Sequence, residues 1–145
     1  MAVSLDDDPA AFIETALNEV CFGGEDRYPL AATLDRYFAP GYRQYTDGET
    51  VDRDGFAAHI KTLRALVADG HIEVLEAVRQ DNRVADRHLV TVTRHDGTTQ
   101  RIEIYLFGEL APDGRLLRVD EISHVIDGDA GAELARARLS WRDGA

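Results

Sequence analysis

The feature that most constrains this chain is a change of period. Up to about Asp69 the apolar residues recur at helical spacing; from His71 onward they alternate with polar ones, as strands buried on one face require. Three segments carry the helical spacing. The first runs from Asp8 to Cys21, with Phe12, Ile13, Ala16, Leu17, Val20 and Cys21 on its stripe; Asp8 suits a cap, Pro9 a first turn, and Gly23-Gly24 a stop. The second spans Tyr28 to Phe38, where Pro40 forbids continuation. The third begins after Asp52 or Asp54, carries Phe56, Ile60, Leu63 and Val67 on its stripe with His59 and Leu66 beside it, and stops at Asp69-Gly70. Tyr42 to Thr46 reads as a short strand. Four longer strands are predicted over Ile72 to Gln80, Val84 to His95, Gln100 to Ala111 and Arg115 to Ile126. They are joined by tight turns at Asp81-Asn82, Asp96-Gly97 and Asp113-Gly114. Three helices followed by an antiparallel meander predict an α+β fold, in which helices cover one face of a strongly curved sheet.

Composition narrows the function. With 145 residues, 44% of them hydrophobic, the chain has material for one core, read here as a domain over 1–128 with a tail at 129–145 that is a short helix or disordered. Twenty-seven acidic against sixteen basic residues give a net charge of −11, which opposes binding to nucleic acid or to anionic lipid. Cys21 is the only cysteine, so no disulfide within the chain is possible and a reducing, cytoplasmic home is expected. The opening MAVSLDDDPA is acidic where a signal peptide is basic, and no apolar run approaches membrane length. The glycine-rich phosphate and dinucleotide fingerprints, the serine elbow and the paired-histidine metal helix are absent, and the five histidines lack a metal spacing. No cofactor and no metal is implied.

The question is then which polar residues are turned inward. In Gln100 to Ala111 the aliphatic set Ile102, Ile104, Leu106 and Leu110 faces the helices, which leaves Tyr105 and Phe107 on the outer face as a candidate partner surface. In Val84 to His95, the period of Val84, Val90 and Val92 carries Asp86 and His88 inward with them. The last strand offers two choices. Either Leu117, Val119, Glu121, Ser123 and Val125 face inward, or Leu116, Asp120, Ile122, His124 and Ile126 do. Periodicity does not choose between them.

The order of elements, with RYFAPGYRQY at Arg36 to Tyr45, VADRH at Val84 to His88 and DGRLLRVDEI at Asp113 to Ile122, resembles the nuclear transport factor 2-like superfamily, and within it the SnoaL-like proteins. The resemblance covers roughly Pro9 to Gly128 and implies a cone-shaped fold whose cavity is shared among cyclases, isomerases, hydrolases and noncatalytic members. Alignment on the Gly114-Arg115 turn implies that Glu121 stands where the family's epoxide hydrolases carry a catalytic aspartate, and Val119 at a pocket-lining aromatic. His88 then falls near a pocket arginine, and His59 at a pocket-lining phenylalanine of the steroid isomerases. Ile13, Thr46 and Leu106 replace the steroid isomerases' tyrosine and two acids, so that mechanism is not expected. Gln44 and Thr46 replace a tyrosine and an asparagine that position water in the epoxide hydrolases, so that apparatus is incomplete too.

The expected site is thus Glu121 as base, His88 as acid or electrostatic partner, and Asp86 either orienting the imidazole or competing with Glu121 for its charge. His59, Tyr42, Gln44, Thr46, Leu63, Val90, Leu106, Val119 and Ser123 line the pocket. The expected ligand is a small hydrophobic or cyclic molecule. The alternatives are a noncatalytic binding module using the same pocket, an interaction protein acting through the outer sheet face, and a polar network that only fixes the sheet. A homodimer through Tyr105 and Phe107 is expected.

Overall fold

The computed structural model describes residues 8–127; the predicted tail at 129–145 lies outside them. Helix α1 (Pro9–Phe22) opens as its sequence dictates, the Asp8 carboxylate accepting from the Ala11 amide at 3.0 Å and Pro9 sitting in the first turn. Helix α2 (Leu30–Tyr37) is followed without a loop by β1 (Phe38–Thr46) and β2 (Glu49–Asp52); α3 (Arg53–Leu66) then precedes the long strands β3 (Val67–Gln80), β4 (Arg83–Arg94), β5 (Thr99–Leu110) and β6 (Leu116–Asp127). The six strands form one mixed sheet in the order β2-β1-β6-β5-β4-β3. All neighbours are antiparallel except β1 and β6, which run parallel. The helices cover the inner face, as the three apolar stripes require.

Three local readings are corrected. α3 does not reach Asp69-Gly70: it ends at Leu66, and β3 begins at Val67 with a bulge before Asp69. Gly70 has a different use. A β-carbon there would stand 2.4 Å from the Phe22 ring, so the glycine lets the end of α1 lie flat on β3. Gly70→Ala is expected to cost about 1–3 kcal/mol through overpacking, read as a lower urea midpoint at unchanged slope. Strand β2 was unforeseen, although Asp47-Gly48 is the same dipeptide that marks the later turns; both residues have positive φ, 48° and 94°, as a two-residue hairpin demands. In β6 neither parity set holds along the whole strand. β6 carries a bulge at Leu117, opposite the Glu109–Leu110 step of its neighbour β5, so Leu116 and Val119 are both buried.

α1 also closes the open edge of β3. The Asn18 side chain both donates to the Ile72 carbonyl and accepts from the Ile72 amide, each at 2.8 Å, and Glu14 accepts from the Val74 amide at 2.9 Å. Two apolar clusters fill the interior. One is built around Ile13, Phe38, Tyr42, Phe56 and Val119, the other around Val67, Ile72, Val90, Val92 and Ile102. Leu17, Cys21 and Leu63 pack against both clusters.

Candidate functional site

A cavity of about 110 Å³ lies between the helices and the inner face of the sheet. Most of its wall is aliphatic or aromatic. The polar groups reaching it are Tyr42, Gln44 and Thr46 of β1, His59 of α3, His88 of β4, Glu121 and Ser123 of β6, and the thiol of Cys21. Leu63, Val90, Leu106 and Val119 complete the set expected from the sequence. Asp86 is absent from the wall; it lies behind His88, its side chain fully shielded.

The register explains this convergence. Thr46, Glu121, Leu106 and Asp86 form one row across β1, β6, β5 and β4, and Ser123, Ile104 and His88 form the next. Because side chains alternate strictly along a strand, one register brings all these groups to the same face. Tyr42, Gln44 and Thr46, spaced by two, share it as well.

The carboxylate is held from one side. Glu121 Oε1 accepts from Thr46 Oγ1 at 3.1 Å and from Gln44 Nε2 at 3.3 Å, and Gln44 Nε2 also donates to Thr46 Oγ1 at 2.9 Å. The Tyr42 hydroxyl donates to Gln44 Oε1 at 2.6 Å, which fixes the amide's orientation. Desolvation raises the pKa of Glu121 above its ordinary value; the nearby His88 and the Thr46 hydrogen bond pull it down, and Asp86 pushes it up. Glu121 is half-buried and lines the cavity.

His88 is fixed equally firmly. Its Nδ1 lies 2.9 and 3.0 Å from the two oxygens of Asp86, so Nδ1 carries the proton and Nε2 is the nitrogen left for the cavity. The bonding also explains why two ionisable groups lie in the core without disrupting it. His71, His95 and His124 are exposed. His59 is half-buried on the cavity wall.

The sequence reading missed Cys21 as a wall residue, although it falls four residues after Leu17 on the same helical stripe. Burial first, then the Glu121 charge, push its thiol up to about 12 despite Arg64. Against the ordinary 9.0 this means roughly a thousandfold less thiolate at pH 8; the higher nucleophilicity of a less acidic thiolate offsets part of this. Alkylation of Cys21 by iodoacetamide is therefore expected to run at least about thirtyfold slower than that of an exposed cysteine. A comparable rate would place the thiol in water. The sequence reading also passed over Asp47, whose carboxylate accepts from the Ser123 amide at 2.9 Å and the Ser123 hydroxyl at 2.6 Å, while its own amide donates to the Glu121 carbonyl at 3.2 Å. This latch pins β6 at Glu121 and Ser123.

The pattern that defines the SnoaL-like domain family matches residues 21–119. An uncharacterised protein of Schizosaccharomyces pombe is 33% identical over 96 residues, covering 66% of this chain and 73% of the yeast protein. Among solved structures, AclR, a proposed hydroxylase of Streptomyces galilaeus, superposes with a TM-score of 0.64 at 16% identity, covering 93% of this chain and 98% of its own. IdmH, a proposed polyketide cyclase of Streptomyces antibioticus, gives 0.63 at 20%, covering 84% and 93%. At such identities the structural likeness is one of fold.

Proposed function

Since the chain belongs to the SnoaL-like domain family, we propose that its cavity binds a small hydrophobic or cyclic molecule and moves protons on it by general acid and base catalysis. The observation that carries this reading is that Glu121 and His88 reach one apolar cavity from different strands, each with its second contact already fixed by the protein. Glu121 takes a proton from the ligand. His88, doubly protonated beside the Asp86 carboxylate that holds its Nδ1–H, gives its Nε2 proton to the ligand's acceptor atom, so Glu121 gains the proton the ligand loses and the net charge is unchanged. A raised carboxyl pKa suits this use, because a base poised nearer neutrality both accepts and returns a proton. A cavity of about 110 Å³ suits a molecule of roughly one ring, since a dry apolar cavity of about 150 Å³ takes benzene.

The reading needs no metal or cofactor and fits a reduced, cytoplasmic setting. The proposed hydroxylase and polyketide cyclase that share this fold suggest polyketide-derived or oxygenated rings for the screen. Cyclic ketones, lactones and phenols, tested by shift of the unfolding temperature and then by product analysis, should give binders whose turnover vanishes in Glu121→Gln. Binders never turned over would favour the noncatalytic module. Ligands that stabilise the protein equally when Leu106→Trp fills the cavity would remove the reading.

A second observation favours self-association. On the outer face Tyr45, Phe107 and Val78 lie in one cross-strand row, and Ile122 and Tyr105 in the next. Phe107 is 68% and Ile122 65% exposed, and although Asp120 separates Tyr45 from Phe107, Phe107, Ile122, Tyr105 and Val78 form an apolar surface of the kind that marks an interface. We propose that a second copy covers it. Light scattering should give a dimer mass, and Phe107→Glu a monomer.

A further inference from the structure

The polar chain along β1 has a direction. The Tyr42 hydroxyl donates to Gln44 Oε1 at 2.6 Å; at the other end of that amide, Nε2 donates to Thr46 Oγ1 at 2.9 Å and to Glu121 Oε1 at 3.3 Å. Thr46 Oγ1, accepting from the amide, turns its own proton to Glu121 Oε1 at 3.1 Å. The hydrogens of the chain thus all point toward the carboxylate. A primary amide is an acceptor at one end and a donor at the other, so its orientation decides which of the two Glu121 meets. Turned over, Gln44 would set its oxygen against the oxygens of Glu121 and Thr46, acceptor facing acceptor.

Tyr42 holds the amide against that turn. The residue is 1% exposed, and its ring is wedged by Phe38 and Phe56, with centroids 4.8 and 5.3 Å away, so the hydroxyl cannot follow the amide round. Burial first, then the charge of Glu121, raise the phenol's pKa well above its ordinary value. It therefore stays a donor throughout the range in which a carboxyl titrates. We propose that Tyr42 is a positioning residue: its hydroxyl locks the Gln44 amide with the donor end toward Glu121 and so sets how strong a base that carboxylate is. The proposal rests on Glu121 being the base of the cavity and adds what tunes it. The sequence places Tyr42 and Gln44 on the wall as ligand contacts; in the fold the hydroxyl of one is engaged by the amide of the other.

Without the hydroxyl, two changes act in one direction. An ionised Glu121 loses the group that keeps a donor facing it, and a protonated one gains an acceptor, because the freed amide can turn its oxygen to the carboxyl proton. Both favour the protonated form.

Tyr42→Phe keeps the ring, removes the hydroxyl and changes no charge. The Glu121 carboxyl, followed by carbon-detected NMR in the ligand-free protein, is expected to titrate about one pH unit higher in this variant than in the wild type. The other titratable groups around it, His88 and Asp86 of β4, Cys21 of α1 and His59 of α3 on the same wall, are common to both proteins and drop out of the difference. A second background tests the route. Gln44→Met alone should raise the carboxyl at least as far, and adding Tyr42→Phe to it should move the carboxyl no further. For any substrate found, the low-pH limb of kcat should move up with the carboxyl in Tyr42→Phe, while KM at pH 8 holds. A carboxyl that titrates in Tyr42→Phe as in the wild type, or that moves equally with and without Gln44, overturns the assignment. The titration needs no ligand, so the two readings fail separately. A raised carboxyl in a protein that binds none of the ring compounds removes the proposed function and leaves the Tyr42 lock standing; an unmoved one beside turnover that depends on Glu121 does the reverse.

Discussion

Glu121→Gln is expected to lower turnover of any substrate found for the cavity by about 10²–10⁴-fold, the usual contribution of a positioned base. Glutamine keeps the shape and can still accept from Thr46 and Gln44 through its carbonyl oxygen, so binding of a neutral ligand should change little. The same substitution has a second, independent effect on stability. Burial makes the native carboxyl hold its proton more tightly than it does in the unfolded chain, where the ordinary value is 4.5. Above that pH the unfolded chain has released a proton the folded one keeps, so this group's contribution to stability falls as pH rises through the window up to its native pKa. Urea midpoints measured at pH 4 and pH 7 should therefore show Glu121→Gln gaining on the wild-type protein at the higher pH. A variant that instead loses ground as pH rises would mean that the carboxylate is stabilised, not strained, by its surroundings.

Arg64→Ala is expected to cost about 2–3 kcal/mol and to lower the unfolding temperature by roughly 5–10 °C. Arg64 lies on α3, yet its guanidinium serves the end of α1. Nε donates to the Val20 carbonyl at 2.9 Å, Nη2 to the Glu19 carbonyl at 3.0 Å, and Nη1 to the Tyr28 carbonyl and to Glu25 at 3.0 Å each. A helix leaves its last carbonyls without partners, and a cation there also complements the helix dipole. The Glu25 arm is largely exposed and adds little. The carbonyl contacts decide the cost. Arg64→Lys keeps the charge but cannot reach several carbonyls from one planar fork, so it should recover only part of the loss. Full recovery by lysine would show that charge rather than geometry matters. The substitution also loosens the turn of α1 that carries Cys21 and Phe22 onto the cavity wall, so weaker ligand binding should accompany it.

Where a single local force decides, the sequence predicts the structure closely. The cap at Asp8, the alternation that carries Asp86 and His88 inward, and the exposed position of Phe107 all follow from spacing alone. Where two forces compete, it does not. Gly70 reads as a helix stop because glycine usually ends helices, but in the fold it answers to the Phe22 ring, a contact 48 positions away along the chain. The inward turn of Glu121 was undecided by pattern because β6 changes parity at a bulge, and a bulge leaves no mark in hydrophobic period. The family resemblance selected the Glu121 parity, and the geometry places that side chain on the cavity wall. The hydrogen-bonded chain from Tyr42 to Glu121 is half legible. The period of two puts Tyr42, Gln44 and Thr46 on one face, but only the parallel pairing of β1 with β6 brings them to the acid.

The measurement closest to the central claim is a carbon-detected NMR titration of the Glu121 carboxyl in the wild-type protein and in His88→Gln. A carboxyl enclosed by apolar walls should titrate above 4.5, and higher still once the imidazole that pulls it down is gone. One midpoint at or below 4.5, with no response to His88, would place the carboxylate in water and leave the cavity without its base.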